Sequence, residues 1–136
     1  MLVNNVGLLG PHFMPFLELN EKMVQDIIVV NVLAGTMLCH SLLPDMLKKK
    51  KGAIINIGSI CSYYPLPYLA TYAATKHFTA AFSQAIAAEY SDRLVKMLKI
   101  FFLYEFTIVY QTDDIKLLNQ YSSTSHIILV VWIFSL

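Results

Sequence analysis

Ser59, Tyr72 and Lys76 stand at the spacing Ser-x12-Tyr-x3-Lys, with Asn31 upstream and the tetrapeptide Asn4-Asn5-Val6-Gly7 near the start of the chain. These residue types suit redox chemistry between a carbonyl and an alcohol. A hydride adds to a carbonyl carbon only if a proton reaches the oxygen, and a tyrosine hydroxyl supplies that proton when its pKa is drawn below the usual value of about 10. Tyr72 and Lys76 are four residues apart, so on a helix they share a face and the ammonium favours the phenolate by attraction. Ser59 is then placed to hydrogen-bond the substrate oxygen. Chance alone gives this spacing in roughly a few per cent of chains of such composition, so the surrounding elements decide its meaning.

Those elements agree with the chemistry. Ala53 to Ile57 is a mostly apolar run that reads as a buried strand ending at Ser59, and Tyr72 opens an alanine-rich helical pattern from about Ala70 to Tyr90. A strand-end serine would thus face a helix-borne Tyr/Lys pair. Upstream, Leu2 to Asn5 reads as a short buried strand, and the loop Leu8 to Leu19, with Pro11 and Pro15, leads to Asn20 as helix N-cap. Met23, Ile27, Val30, Leu33, Leu38 and Leu42 predict a long helix from Glu21 to about Lys50, bent or interrupted near its end by Pro44. Lys48 to Lys51 followed by Gly52 reads as the helix C-terminus, with cations favoured by the dipole and glycine at the stop.

At Leu2-Val3-Asn4-Asn5-Val6-Gly7, Val30-Asn31-Val32, Gly52 to Ser59 and Tyr72-Ala73-Ala74-Thr75-Lys76 the chain resembles the short-chain dehydrogenase/reductase family, over about residues 1 to 93. Asn-Asn-Val-Gly and the stretch Pro65 to Tyr72 are most similar to the branch containing very-long-chain 3-oxoacyl-CoA reductases and 17β-hydroxysteroid dehydrogenases. The resemblance implies an α/β fold that is part of a Rossmann-type doubly wound parallel sheet, its C-terminal portion. It implies Tyr72 as catalytic acid/base, Lys76 as the group that tunes it and holds the nicotinamide ribose, and Ser59 as the residue orienting the carbonyl. Asn31, through a helix irregularity and a bound water, would complete a proton relay. Asn4 would fix its strand end against the cofactor, and Gly7 would let the backbone pass close to it. The implied cofactor is NADP(H), the implied substrate a lipid-like 3-oxoacyl-CoA or steroid, and the implied location the endoplasmic reticulum membrane.

The chain also departs from the family. Gly7, Gly10, Gly35, Gly52 and Gly58 form no glycine-rich strand–turn–helix cradle for a pyrophosphate. Three strands of the family fold would precede residue 1. From about residue 94 the sequence is expected to diverge, giving a partial catalytic domain over 1–93 and a hydrophobic tail over 94–136. Two readings follow: an NADP(H)-dependent oxidoreductase, or a truncated remnant or isoform that lacks the phosphate site and is inactive as written.

Composition sets outer bounds. The 136 residues are at most one domain, and 57% apolar content is ample for a core. Only 14% of residues are charged, which predicts a surface partly covered by something else. A net charge of +1 and a single arginine, Arg93, argue against nucleic acid. Cys39 and Cys61 suit a reducing compartment, and His12, His40, His77 and His126 show no ligand spacing, so no metal is expected. The aromatic loop Ile60 to Leu69 suits either a lipid-like substrate or ordinary packing. Ala74, Phe78, Ala81, Phe82, Ala85 and Ile86 suit either a homodimer interface, as the resemblance implies, or the intramolecular core. The apolar stretches Ile100 to Tyr110 and Ile127 to Phe134 are too short to span a bilayer and are suited either to strand pairing or, if uncovered, to aggregation.

Overall fold

The computed structural model describes residues 1–11, 13–90, 95–103, 107–109 and 128–130, so His12, Ser91 to Leu94 and most of the segment after Leu103 lie outside the described residues. The sheet is built from β1 (Leu2–Asn4), β2 (Gly52–Ser59), β3 (Val95–Leu103), β4 (Thr107–Val109) and β5 (Ile128–Val130), in the order β4-β3-β2-β1-β5. β1, β2, β3 and β5 run parallel, with Leu2 opposite Ile54 and Ser59 opposite Phe102, and β4 pairs antiparallel to β3. β4 and β5 fall within the two apolar stretches expected to pair as strands.

The connection from β1 to β2 is helical from Glu21 to Lys48: α1 (Glu21–Ile28), a π-turn (Val29–Leu33) and α2 (Ala34–Lys48). Its start follows from Asn20, whose side chain accepts a hydrogen bond from the Met23 N–H at 2.9 Å. Its end departs from the sequence reading in two ways. Pro44 does not interrupt the helix, which runs on to Lys48. Leu43, Met46 and Leu47 are all committed to the core around Leu2 and Ile54, and this burial carries the last turn past the missing N–H. The left-handed residue after the helix is Lys50, at φ 49°, and not Gly52. Gly52 opens β2 instead, where a Cβ would lie 2.7 Å from the Met46 side chain. That glycine is required by close approach of helix and strand.

From β2 the chain returns through α3 (Ala70–Glu89) to β3. Each connection joins neighbouring parallel strands and moves in the same direction along the sheet, so right-handed crossovers place both helices on one face. Accordingly α1 and the π-turn pack against α3. Among the described residues the sheet carries one helix layer, where a doubly wound fold carries two. Between sheet and helices lies an apolar cluster of Leu2, Cys39, Leu43 and Ile54, with Phe82 and Ile86 of α3 closing over it. By length and hydropathy the helix 21–48 would also suit a membrane span. Its inward residues are nevertheless engaged with the sheet.

Candidate functional site

Parallel strands leave their carboxyl ends open for ligands, and the predicted residues gather there. Ser59 ends β2 and caps the short 3-10 turn Ile60–Ser62, accepting a hydrogen bond from the Cys61 N–H at 3.2 Å. The turn is fastened to α3 by Ser62, which is fully buried. The Ser62 hydroxyl donates to the Lys76 carbonyl at 2.8 Å and accepts from the Ser59 N–H at 3.4 Å. Nδ1 of His77 stands 2.7 Å from the Ser62 carbonyl, a contact that needs the proton on Nδ1. Sequence reasoning missed Ser62, although a serine three residues after a capping serine is the pattern of a reciprocal cap.

Tyr72 and Lys76 lie one turn apart on α3, as their spacing requires, and the Lys76 ammonium is 5.8 Å from the centroid of the Tyr72 ring. Lys76 is 6% exposed, and Nζ donates to the Ile57 carbonyl at 3.1 Å. Burial pulls its pKa down from 10.5 to about 8, with nearby Cys61 opposing the shift. The one ion pair among the described residues, Lys22 with Asp26, is elsewhere on the surface. Gly7 leaves the space beside the ammonium open, since a Cβ there would sit 3.4 Å from Nζ.

Asn31 occupies the π-turn, the helix irregularity expected at this position. Its Oδ1 accepts from the Leu8 N–H at 2.7 Å, while Nδ2 donates to the Leu8 carbonyl at 2.9 Å and to Thr75 Oγ1 at 3.0 Å. Both amide hydrogens are therefore used within the protein. Asn31 ties the segment after β1 to α3 and so sets where Gly7 stands relative to Lys76.

Asn4 turns into the helix layer, beside Cys39 and Gly35. Its Nδ2 donates to Asn56 Oδ1 at 2.7 Å and to Cys39 Sγ at 3.3 Å, and Asn56 donates in turn to Ser83 Oγ at 2.8 Å. Burial pushes the Cys39 thiol pKa up against the opposing effect of the Asn4 hydrogen bond, so this cysteine stays a thiol. A cavity of about 70 Å³ lies among Asn4, Asn31, Asn56 and Lys76. Asn4 Oδ1 is the one buried side-chain polar atom without a partner among the described residues. No group of His, Cys, Asp and Glu among the described residues could hold a metal ion.

A strand-end serine held by a 3-10 turn against a helix-borne Tyr/Lys pair, at the open end of a parallel α/β sheet, defines a class of oxidoreductase domain. The family model "short chain dehydrogenase" matches residues 1–101, and the chain belongs to that family. The match extends past residue 93 into β3. Among curated relatives the chain is 44% identical over 91 residues to the very-long-chain 3-oxoacyl-CoA reductase of Laccaria bicolor, covering 65% of this chain and 26% of that one. It is 41% identical over 93 residues to the human inactive hydroxysteroid dehydrogenase-like protein 1, covering 68% and 28%. The chain therefore spans about a quarter of the length of these relatives. A short-chain dehydrogenase from Sphingobium yanoikuyae, solved in complex with NADPH, superposes with a TM-score of 0.69 at 27% identity, over 73% of this chain and 38% of that one.

The residues present suit the ribose end of such a cofactor. An ammonium has three hydrogens to donate, and at Lys76 the Ile57 carbonyl is the hydrogen-bond acceptor within the protein. The remaining donors lie beside Gly7, where a sugar diol would accept them. For the pyrophosphate, the described residues contain no glycine cluster at a strand–helix turn.

Proposed function

We propose that this chain carries the substrate-side half of an NADP(H)-dependent oxidoreductase site acting on a keto or hydroxy group of a lipid-like molecule, a 3-oxoacyl-CoA or a steroid. The described sheet is, on this reading, the C-terminal portion of a dinucleotide-binding fold. One observation carries it: the Lys76 ammonium lies 5.8 Å from the Tyr72 ring centroid, on the helix to which Ser62 fastens the Ser59 turn. When bound, the cofactor supplies a hydride to the carbonyl carbon or takes one from the alcohol. Tyr72 gives its hydroxyl proton to the carbonyl oxygen in the reducing direction, Lys76 steadies the resulting phenolate, and Ser59 holds the oxygen in line. Asn31 keeps the π-turn and the segment at Gly7 in place, and the proton returns to Tyr72 from solvent near it.

The exposed aromatic and apolar side chains Tyr63, Tyr64, Leu66 and Tyr68 support a lipid-like substrate. An endoplasmic reticulum location belongs to the same reading. So does pairing of two copies through α3, supported by the stacked Phe78 and Phe82 rings, 5.7 Å apart, and by the 39% exposure of Phe78.

A second reading is a non-catalytic protein, favoured by a relative whose name includes "inactive". Fluorescence titration of the purified chain with NADPH in the micromolar range separates the two. The first reading expects saturable binding and reduction of a 3-oxoacyl-CoA that falls by about 10²–10⁴-fold in Tyr72→Phe. No binding by a folded sample leaves the second.

A further inference from the structure

Thr75 sits in the Tyr-x3-Lys segment between the two residues that carry the chemistry, and its side chain is 4% exposed. Its hydroxyl donates to the Tyr72 carbonyl at 2.7 Å. That donation fixes the orientation of the oxygen, whose lone pairs then receive Asn31 Nδ2 at 3.0 Å. Asn31 in turn holds both the N–H and the carbonyl of Leu8. The chain of contacts thus runs from the Tyr72 backbone through Thr75 and Asn31 to the residue next to Gly7. It crosses three separate elements: α3, the π-turn and the segment after β1. Removing the Thr75 hydroxyl leaves one buried Asn31 amide hydrogen without an acceptor, and the π-turn loses its polar attachment to the helix that bears Tyr72.

We propose that Thr75 is a positioning residue for the oxidoreductase site: through Asn31 it sets the separation between the Tyr72/Lys76 helix and the backbone at Gly7. The inference rests on the proposed function for its kinetic consequence, while its structural content is independent of turnover. Misplacing reacting groups by about 1 Å costs on the order of 10²-fold in rate, so the hydroxyl and not the volume of the side chain is what matters.

Two variants of opposite character test this. Thr75→Val keeps the shape and removes the hydroxyl; Thr75→Ser keeps the hydroxyl and removes a methyl. With NADPH and a 3-oxoacyl-CoA, Thr75→Val is expected to lower kcat at least tenfold with KM nearly unchanged, and Thr75→Ser to restore most of it. The reverse order, or equal kcat in both variants, would show that Thr75 only fills space and would overturn the proposal. If the unmodified chain does not turn over, the proposed function fails, and the positioning role is read by NMR without substrate. The Asn31 side-chain amide and the Leu8 N–H are expected to exchange slowly in the unmodified chain and in Thr75→Ser, and fast in Thr75→Val. Equal protection in all three overturns it. Should Thr75→Val fail to fold, Thr75→Ala takes its place in the same comparison.

Discussion

The two ends of β2 hold the same helices by different physics. At the Gly52 end, Ile54 and its neighbour Leu2 are wholly buried and meet Cys39, Leu43, Phe82 and Ile86, so apolar packing is the main bond between the sheet and helices α2 and α3. At the Ser59 end, a smaller apolar cluster of Cys61, Leu69 and Ala73 is joined by directed hydrogen bonds: Lys76 to Ile57, Ser62 to Lys76, and Asn31 to Thr75 and Leu8. Apolar packing tolerates small shifts, whereas hydrogen bonds weaken steeply outside a narrow range of angle and distance. The molecule thus separates cohesion from placement along one strand. The larger apolar cluster lies where nothing reacts, and the directed bonds concentrate where the candidate chemistry is.

Ile54→Ala is the largest break at the apolar end. It empties a fully buried position at the centre of the cluster and is expected to cost about 2–5 kcal/mol, read as a lowered denaturation midpoint at unchanged m-value. If the two ends are separable, the Asn31 and Leu8 amide protection at the other end survives in whatever fraction remains folded. Loss of that protection below the unfolding transition would show that the ends are one unit.

Lys76→Met sharpens the contrast from the other side. Burial lowers the Lys76 pKa from 10.5 to about 8. Below pH 8 both folded and unfolded chains carry the charge, and the folded one bears the cost of burying it. Between pH 8 and 10.5 the folded chain loses the proton while the unfolded chain keeps it, so stability rises with pH across that window. The rise corresponds to about 3 kcal/mol. In Lys76→Met this pH slope is expected to vanish and stability near neutrality to increase, while NADPH binding weakens. A pH-independent melting temperature in the unmodified chain would contradict the burial.

Much of this division is legible in the sequence, because its strongest signals are local. The apolar run before Ser59, the four-residue step from Tyr72 to Lys76 and the Asn20 cap each follow from nearest-neighbour geometry, and all three are present. What the sequence does not display is contact between distant elements. Lys50 taking the left-handed turn in place of Gly52, helix α2 continuing past Pro44, and Ser62 reaching the Lys76 carbonyl all depend on how close α2 and α3 come to β2. Gly52 shows the limit well: glycine is correctly conspicuous there, but the reason is the Met46 side chain across the gap.

The smallest expected effect lies at the boundary between the two ends. Asn4 and Asn56 stand opposite each other in the β1–β2 register, two residues beyond the Leu2–Ile54 pair and on the same face of the sheet. Asn56 is 3% exposed, and its Nδ2 relies on Ser83 Oγ, which passes its own hydrogen to the Thr79 carbonyl at 2.7 Å. Ser83→Ala removes almost no volume but leaves an amide hydrogen of Asn56 unpaired, at a cost of about 1–3 kcal/mol. The cavity of about 70 Å³ beside Asn56 has room for water, and water reaching Nδ2 would reduce the loss toward the lower end. A stability change near 1 kcal/mol with little change in kcat would place this rung with the cohesive end. A fall in kcat larger than the fall in stability would place it with Asn31 and Thr75, and the line between cohesion and placement would move two residues toward Ile54.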